Sequence, residues 1–182
     1  MSEHTSRPPS VSDSTRSHRS EAGERPPVAC ALLTVSDSRT EATDESGALM
    51  RRLVEDAGHR VVAYGLLKND EVAVREHVRA LIARPDVDAV LITGGTGLGS
   101  RDRTVEAVTP LLEKQMPGFG EIFRMLSFQE QVGTAAILSR AVAGGANGTL
   151  VASMPGSKAA VELALTRVLL PELRHAIREL KR

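Results

Sequence analysis

Apolar and polar positions along this chain follow two periods, and the switching between them sets the expected fold. From Val28 onward, short β-type runs are separated by amphipathic segments, the alternation of a mostly parallel sheet with helices on both faces. The first strand is Val28 to Val35. A helix follows with Leu49, Met50, Leu53, Val54 and Ala57 on one side, stopped by Gly58. A weaker strand runs from Val61 to Leu67. The next helix carries Val74, Val78, Leu81 and Ile82 at helical spacing, begins near Asp70 and ends before Pro85. Val87 to Thr93 is nearly all apolar after Asp88, as suits a central strand covered on both faces.

Beyond that strand the pattern predicts a short helix around Thr104 to Leu112. It then predicts an amphipathic helix opened by Gly118 and marked by Phe119, Ile122, Phe123 and Leu126. Thr134 to Gly148 has no decisive period. Thr149 to Met154 reads as one more strand, followed by a long terminal helix that Pro171 should kink or divide. The expected architecture is α/β, a three-layer sandwich with a mostly parallel central sheet, forming one domain over residues 27–182. Residues 1–26 break the pattern, with Met1, Val11 and Ala22 as their only members of the hydrophobic set. They are predicted to form a disordered tail, because they bury too little apolar surface to offset the entropy of ordering.

Charge and composition narrow the function. The formal net charge is +0, which gives no global attraction to nucleic acid or to an anionic membrane, so any anion site must be local. In the tail, Arg7, Arg16, Arg19 and Arg25 are offset by Glu3, Asp13, Glu21 and Glu24, so no nucleic-acid-binding arm is indicated. Aromatic residues make up only 2%, which leaves the core to Val, Leu, Ile and Ala and offers few rings for stacking on bases. The lone Cys30 sits inside an apolar run and reads as a buried small hydrophobe in a reducing compartment. No apolar stretch approaches the roughly 18 residues of a membrane span, and the first residues lack a secretion-type segment, so the expected location is the cytosol.

The candidate chemistry gathers where strands end. Gly94-Gly95-Thr96-Gly97 lies at the carboxyl end of the central strand, the edge where ligands bind in open α/β sheets. Glycines there let several N–H groups approach one anion, although they would also make a plain tight turn. Gly95, Gly97 and Gly99 are spaced unlike a dinucleotide fingerprint, and Gly99-Ser100-Arg101 is not a Walker ending. Pro155-Gly156-Ser157 follows the last strand and suggests a second wall of the same anion site; alone it reads as a turn and helix cap. Asp70 and Asp102 also follow strands. Each alone reads as an N-cap, but as a pair at one edge they could hold magnesium against phosphates. Asp37, in Thr34-Val35-Ser36-Asp37-Ser38-Arg39, is a third acid there and could orient the organic part of a ligand. His59, His77 and His175 stand apart, favouring surface or helix-end roles, and without clustered Cys or His a zinc centre is not expected.

Taken together, these segments resemble the MoaB/Mog family, from about Ala29 to His175. The markers are Thr34-Val35-Ser36-Asp37, Asp44 with Ser46-Gly47, Gly58-His59, Asp70, Gly94-Gly95-Thr96-Gly97, Arg101-Asp102 with Thr104, Gly118-Phe119, Ser139-Arg140 and Pro155-Gly156-Ser157. The stretch Gly118 to Leu150 is similar to the MoaB branch. The resemblance implies the MogA-like molybdopterin-binding fold and a role in molybdenum cofactor synthesis. It implies ATP and molybdopterin as substrates and Mg2+ as cofactor, with Asp70 and Asp102 as catalytic and metal-binding residues. Substrate binding would fall to Thr34, Ser36, Asp37, Gly94, Gly95, Thr96, Gly97, Ser139, Pro155, Gly156 and Ser157. A homotrimer or homohexamer is implied as well. The alternative within the same pathway is a non-catalytic molybdopterin-binding or carrier protein. Two positions depart from the family pattern: Val105 stands where many relatives have proline, and Asn69 where Asp or Pro is frequent.

Overall fold

The computed structural model describes residues 26–182, so the tail expectation for residues 1–25 lies outside the described residues. Within them the chain runs β1 (Ala29–Val35), α1 (Glu45–Asp56), β2 (Arg60–Leu67), α2 (Glu71–Ile82), β3 (Ala89–Thr93) and α3 (Thr104–Val108). It continues through β4 (Lys114–Gln115), α4 (Pro117–Ser127), β5 (Val142–Ala146), β6 (Thr149–Met154), α5 (Lys158–Leu163) and α6 (Leu173–Leu180). The strands form one sheet in the order β2-β1-β3-β6-β5-β4. The pairs β1–β2, β1–β3 and β3–β6 are parallel, whereas β5 runs antiparallel to both β6 and β4.

Alternation along β1 divides the core. Cys30 and Leu32 pack with Met50 and Val54 of α1, Phe119 and Phe123 of α4 and Val161 of α5. Ala31, Leu33 and Val35 face the other way, against Val74 and Val78 of α2 and Ala107 and Val108 of α3. Burying an aliphatic side chain is worth about 1.5–3 kcal/mol, so a strand apolar on both faces is held between two helical layers. Two of the few aromatic rings complete the first layer: Phe119 and Phe123 stack with centroids 6.2 Å apart.

The expected elements form with adjusted limits. β3 starts at Ala89 instead of Val87, because the carboxylate of Asp88 takes the backbone N–H of Ala29 at 2.8 Å. In α4 the buried side is Phe119, Gly120, Phe123 and Ser127, while Ile122 is exposed. His59 has the helix-end role but is buried, its Nδ1 accepting the N–H of Val28 at 3.2 Å. Burial, and then the charge of Arg174, lowers its pKa. The terminal helix is divided before Pro171, with wide π-turns over Ala164–Leu169 and a 3₁₀ turn over Leu170–Glu172 between α5 and α6.

The undecided region resolves into 3₁₀ turns at Gly133–Leu138 and then β5, whose antiparallel return to β6 uses Asn147-Gly148. Both turn residues have positive φ, +49° and +75°, the geometry of a two-residue hairpin.

Candidate functional site

At the carboxyl edge of the sheet, the ends of β1, β3 and β6 open onto one cavity of about 610 Å³. That is within the range of roughly 300–1,000 Å³ typical of small-molecule sites. The end of β1 and the segment after it contribute Thr34, Ser36, Asp37 and Arg39; the loop after β3 contributes Gly94, Gly95, Thr96, Gly97 and Asp102. The turn after β6 adds Pro155, Gly156 and Ser157. The facing wall is largely apolar, with Phe123, Val132, Ala136 and Leu138 beside Ser139.

The two glycine-bearing turns are in contact. The N–H of Gly94 donates to Met154 O at 3.0 Å, and the Thr93 hydroxyl donates to Pro155 O at 3.0 Å. Gly94 has φ +96°, and a Cβ there would lie 2.1 Å from the carbonyl oxygen of Val35. Gly95 has φ +65°, and its Cβ would fall 2.1 Å from Thr104 Oγ1 and 2.5 Å from Asn69 Oδ1. Only glycine lets the backbone pass there. Ser157 caps α5 by accepting the N–H of Ala160 at 3.2 Å.

The acids differ in placement. Asp102 lines the cavity and accepts the N–H of Gly99 at 3.1 Å. Asp37 accepts the N–H of Asn69 at 3.0 Å, a bond that lowers its pKa, with Arg101 3.6 Å away assisting. Asp70 stands at the same edge, since Glu71 and Arg103, the neighbours of the two aspartates, are 3.6 Å apart. It is exposed, does not line the cavity, and caps α2 by accepting the N–H of Ala73 at 2.9 Å. Asn69 lines the cavity in its place, and its Oδ1 is buried without a hydrogen-bond partner.

Two basic residues were not singled out as site residues by sequence reasoning. Arg140 reaches the carbonyls of Thr96 at 3.2 Å and Asp102 at 3.0 Å, and pairs with Glu106, so it fastens both ends of the glycine loop. Its hydrogen bond is the main reason that the pKa of Glu106 is lowered. Arg39 is the one cationic side chain among the described residues that line the cavity. The signal for it was its place two residues after Asp37 at the end of a strand.

Among the described residues, no three His, Cys, Asp or Glu side chains converge as metal ligands. Magnesium asks for less, since it keeps several waters and takes one or two carboxylates together with phosphate oxygens. The Asp102 carboxylate and the unpartnered Asn69 carbonyl both line the cavity and are donors of that type, so the residues present fit the ion.

Strand order, a ligand edge built from three strand ends and two fused glycine turns define a small-molecule-binding α/β protein. Residues 31–175 match the family described as "Probable molybdopterin binding domain". The chain belongs to this molybdenum cofactor biosynthesis family. It is 52% identical over 167 residues to molybdenum cofactor biosynthesis protein B of Halalkalibacterium halodurans, covering 92% of this chain and 97% of that one. It is 48% identical to the protein of the same name from Bacillus subtilis, covering 93% and 98%. A crystal structure of a molybdenum cofactor biosynthesis protein B superposes with a TM-score of 0.83 at 48% identity, covering 86% and 97%. A MogA structure gives 0.74 at 28% identity, covering 84% and 99%. No helix among the described residues is long and apolar enough to cross a membrane.

Proposed function

We propose that the cavity binds molybdopterin and ATP and joins them, forming adenylylated molybdopterin and releasing pyrophosphate. The observation that carries this reading is the contact between the Gly94–Gly97 loop and the Pro155–Ser157 turn, which brings both glycine turns to one cavity that also has apolar lining residues. A fused heteroaromatic ring suits the apolar wall, and phosphate suits the glycine turns.

In the reaction, an oxygen of the terminal phosphate of molybdopterin attacks the α-phosphorus of ATP. A new P–O bond forms as the α–β anhydride bond breaks, and the electron pair leaves with pyrophosphate. The second pKa of a phosphate monoester is about 6, so the nucleophile is already ionised near neutral pH and needs no general base. The protein's task is to align two anions and to offset their charge. Ser36, Ser139 and Ser157 supply hydroxyls at the rim, whereas the Thr34 hydroxyl is buried beside Asp44 and Gly47 and would act only through them; Asp37 orients the organic part. Asp102, with Asp70 and Asn69, would hold Mg2+. When bound, magnesium offsets charge on the phosphates.

One observation favours a second reading, that of a non-catalytic binder or carrier: Asp70 is engaged as a helix cap and stands off the cavity wall. Incubation with molybdopterin, ATP and magnesium, followed by chromatography of the pterin and a pyrophosphate assay, separates the two. Magnesium-dependent product that disappears in Asp102→Asn supports the transferase. Tight molybdopterin binding with no product supports the carrier and overturns the transferase. Absence of binding overturns both.

The exposed apolar side chains Ile122, Met125, Phe128 and Ile137, outside the cavity lining, support self-association as a trimer or a pair of trimers. Light scattering that gives a monomer would remove this part of the reading.

A further inference from the structure

We propose that Arg39 is the residue by which the cavity reads phosphate, and that the buried carboxylate of Asp44 positions it. The inference rests on the reading that the cavity takes phosphorylated ligands and names the side chain that selects them.

Charge makes the first part of the case. The charged residues lining the cavity are Asp37, Asp102 and Arg39. Two carboxylates repel a phosphate dianion, so a site for one needs a compensating cation on the wall. Arg101 is 83% exposed along its side chain and stands outside the lining residues, 3.6 Å from Asp37. Arg39 is the cation that the wall offers, with its charge shared with the Asp44 carboxylate behind it, so its contribution to a phosphate is mainly directed hydrogen bonding.

The guanidinium is held on one side only. Nη1 donates to Asp44 Oδ1 at 3.0 Å and to Ser46 Oγ at 2.8 Å, while Nη2 donates to Gly156 O at 3.4 Å. Nε–H and the second Nη2–H have no acceptor among the described residues. Nε–H and the Nη2–H beside it form the side-on fork of a guanidinium, and such a fork matches two oxygens of a phosphate when Gly156 O takes the other Nη2–H.

The support beneath Arg39 is elaborate for a helix cap. Asp44 is 3% exposed and also accepts the N–H of Gly47 at 3.0 Å and the hydroxyl of Tyr64 at 2.7 Å. A Cβ on Gly47 would lie 2.1 Å from Asp44 Oδ2, so the Asp44-Glu45-Ser46-Gly47 sequence leaves room for the carboxylate. Ser46 in turn donates to Gly156 O at 2.7 Å, which ties the assembly to the turn after β6. A buried ion pair is weak evidence for stability, because desolvation offsets much of its attraction; fixing the direction of a guanidinium is a use that the geometry supports.

Two pairs of ligands that differ only by phosphate test the idea: AMP with adenosine, and oxidised phosphorylated pterin with its dephosphorylated form. Binding would be measured by calorimetry for the wild type, Arg39→Met, Arg39→Lys and Asp44→Asn, with a thermal melt to establish that each is folded. The wild type is expected to prefer a phosphorylated partner by about ten- to a hundredfold, the worth of charge-assisted hydrogen bonds. Arg39→Met should erase that preference while leaving the unphosphorylated partner's affinity in place. Arg39→Lys should restore part of it, and Asp44→Asn should reduce it although Arg39 is intact. Loss on one pair alone assigns the residue to the nucleotide or to the pterin phosphate. A folded Arg39→Met or Arg39→Lys protein with the full preference overturns the proposal, as does equal weakening of both members of a pair, which a purely structural role produces. A wild type without any preference overturns the underlying reading of the cavity itself.

Discussion

Gly94→Ala tests the tightness of the turn that joins β3 to the cavity. Its φ of +96° costs an L-residue about 1–2 kcal/mol. The added Cβ would also lie 2.1 Å from Val35 O, a backbone atom at the end of β1 that cannot swing aside. Forcing a methyl into such a place costs about 1–3 kcal/mol more. The sum is about 2–5 kcal/mol, and in a protein of this length its middle value should lower Tm by roughly 10 °C. Gly58→Ala is the control. Its φ is +75°, but the nearest atom to a Cβ there is Arg174 Nη2 at 3.7 Å, an ordinary contact. Only the conformational cost applies, so the expected drop is about 4 °C. Calorimetric melts of the three proteins, checked by urea titration, give the comparison. Equal losses in the two variants, or a Gly94→Ala protein as stable as the wild type, would refute the steric argument.

Two further outcomes follow from buried titratable groups. Burial acts to raise the pKa of Asp44, but it is outweighed by the nearby Thr34 hydroxyl and by hydrogen bonds from Tyr64, Gly47 and Arg39, which leave the value lowered. Its contribution to stability is therefore present above the unfolded pKa of about 3.9 and lost as pH falls through the folded value. Urea titrations of wild type and Asp44→Asn should show a gap at pH 7 that narrows below about pH 4; a gap unchanged at low pH would contradict the assignment. Cys30 is fully buried, and burial, followed by the charge of Asp88, raises its pKa to about 12. The folded protein should resist alkylation at pH 8 while the urea-unfolded chain reacts, and rapid labelling of the native state would show the core around β1 to be open.

The sequence made the parallel half of the sheet legible because β1, β3 and β6 are apolar on both faces, and such runs have few alternatives. The antiparallel edge was hidden for a physical reason. β5 is Val-Ala-Gly-Gly-Ala, in which glycines replace the side chains that would show a period. A Cβ on Gly144 would lie 2.3 Å from Lys114 O, so close approach to β4 erases the signal. The Asn147-Gly148 pair was the surviving clue to the hairpin. In the site, the glycine turns and Asp102 were readable from their position after strands. Arg39 was not, because its role depends on Asp44 and Gly156, and the latter is brought to it only by folding.

Strand order explains why the candidate site is where it is. β1, β3 and β6 are far apart in sequence but adjacent in the sheet, and all three point the same way. Their carboxyl ends must therefore lie side by side, whatever sequence the loops carry. The loops then lock together: a Cβ on Gly156 would lie 3.2 Å from Gly94 Cα, and Gly156 O accepts from both Ser46 and Arg39. The turn after β6 thus touches the glycine loop on one side and the Arg39 assembly on the other. A displacement of that turn would move both at once. The cavity is better understood as one joint among three strand ends than as separate motifs, and substitutions at Gly156 should perturb it more than their small size suggests.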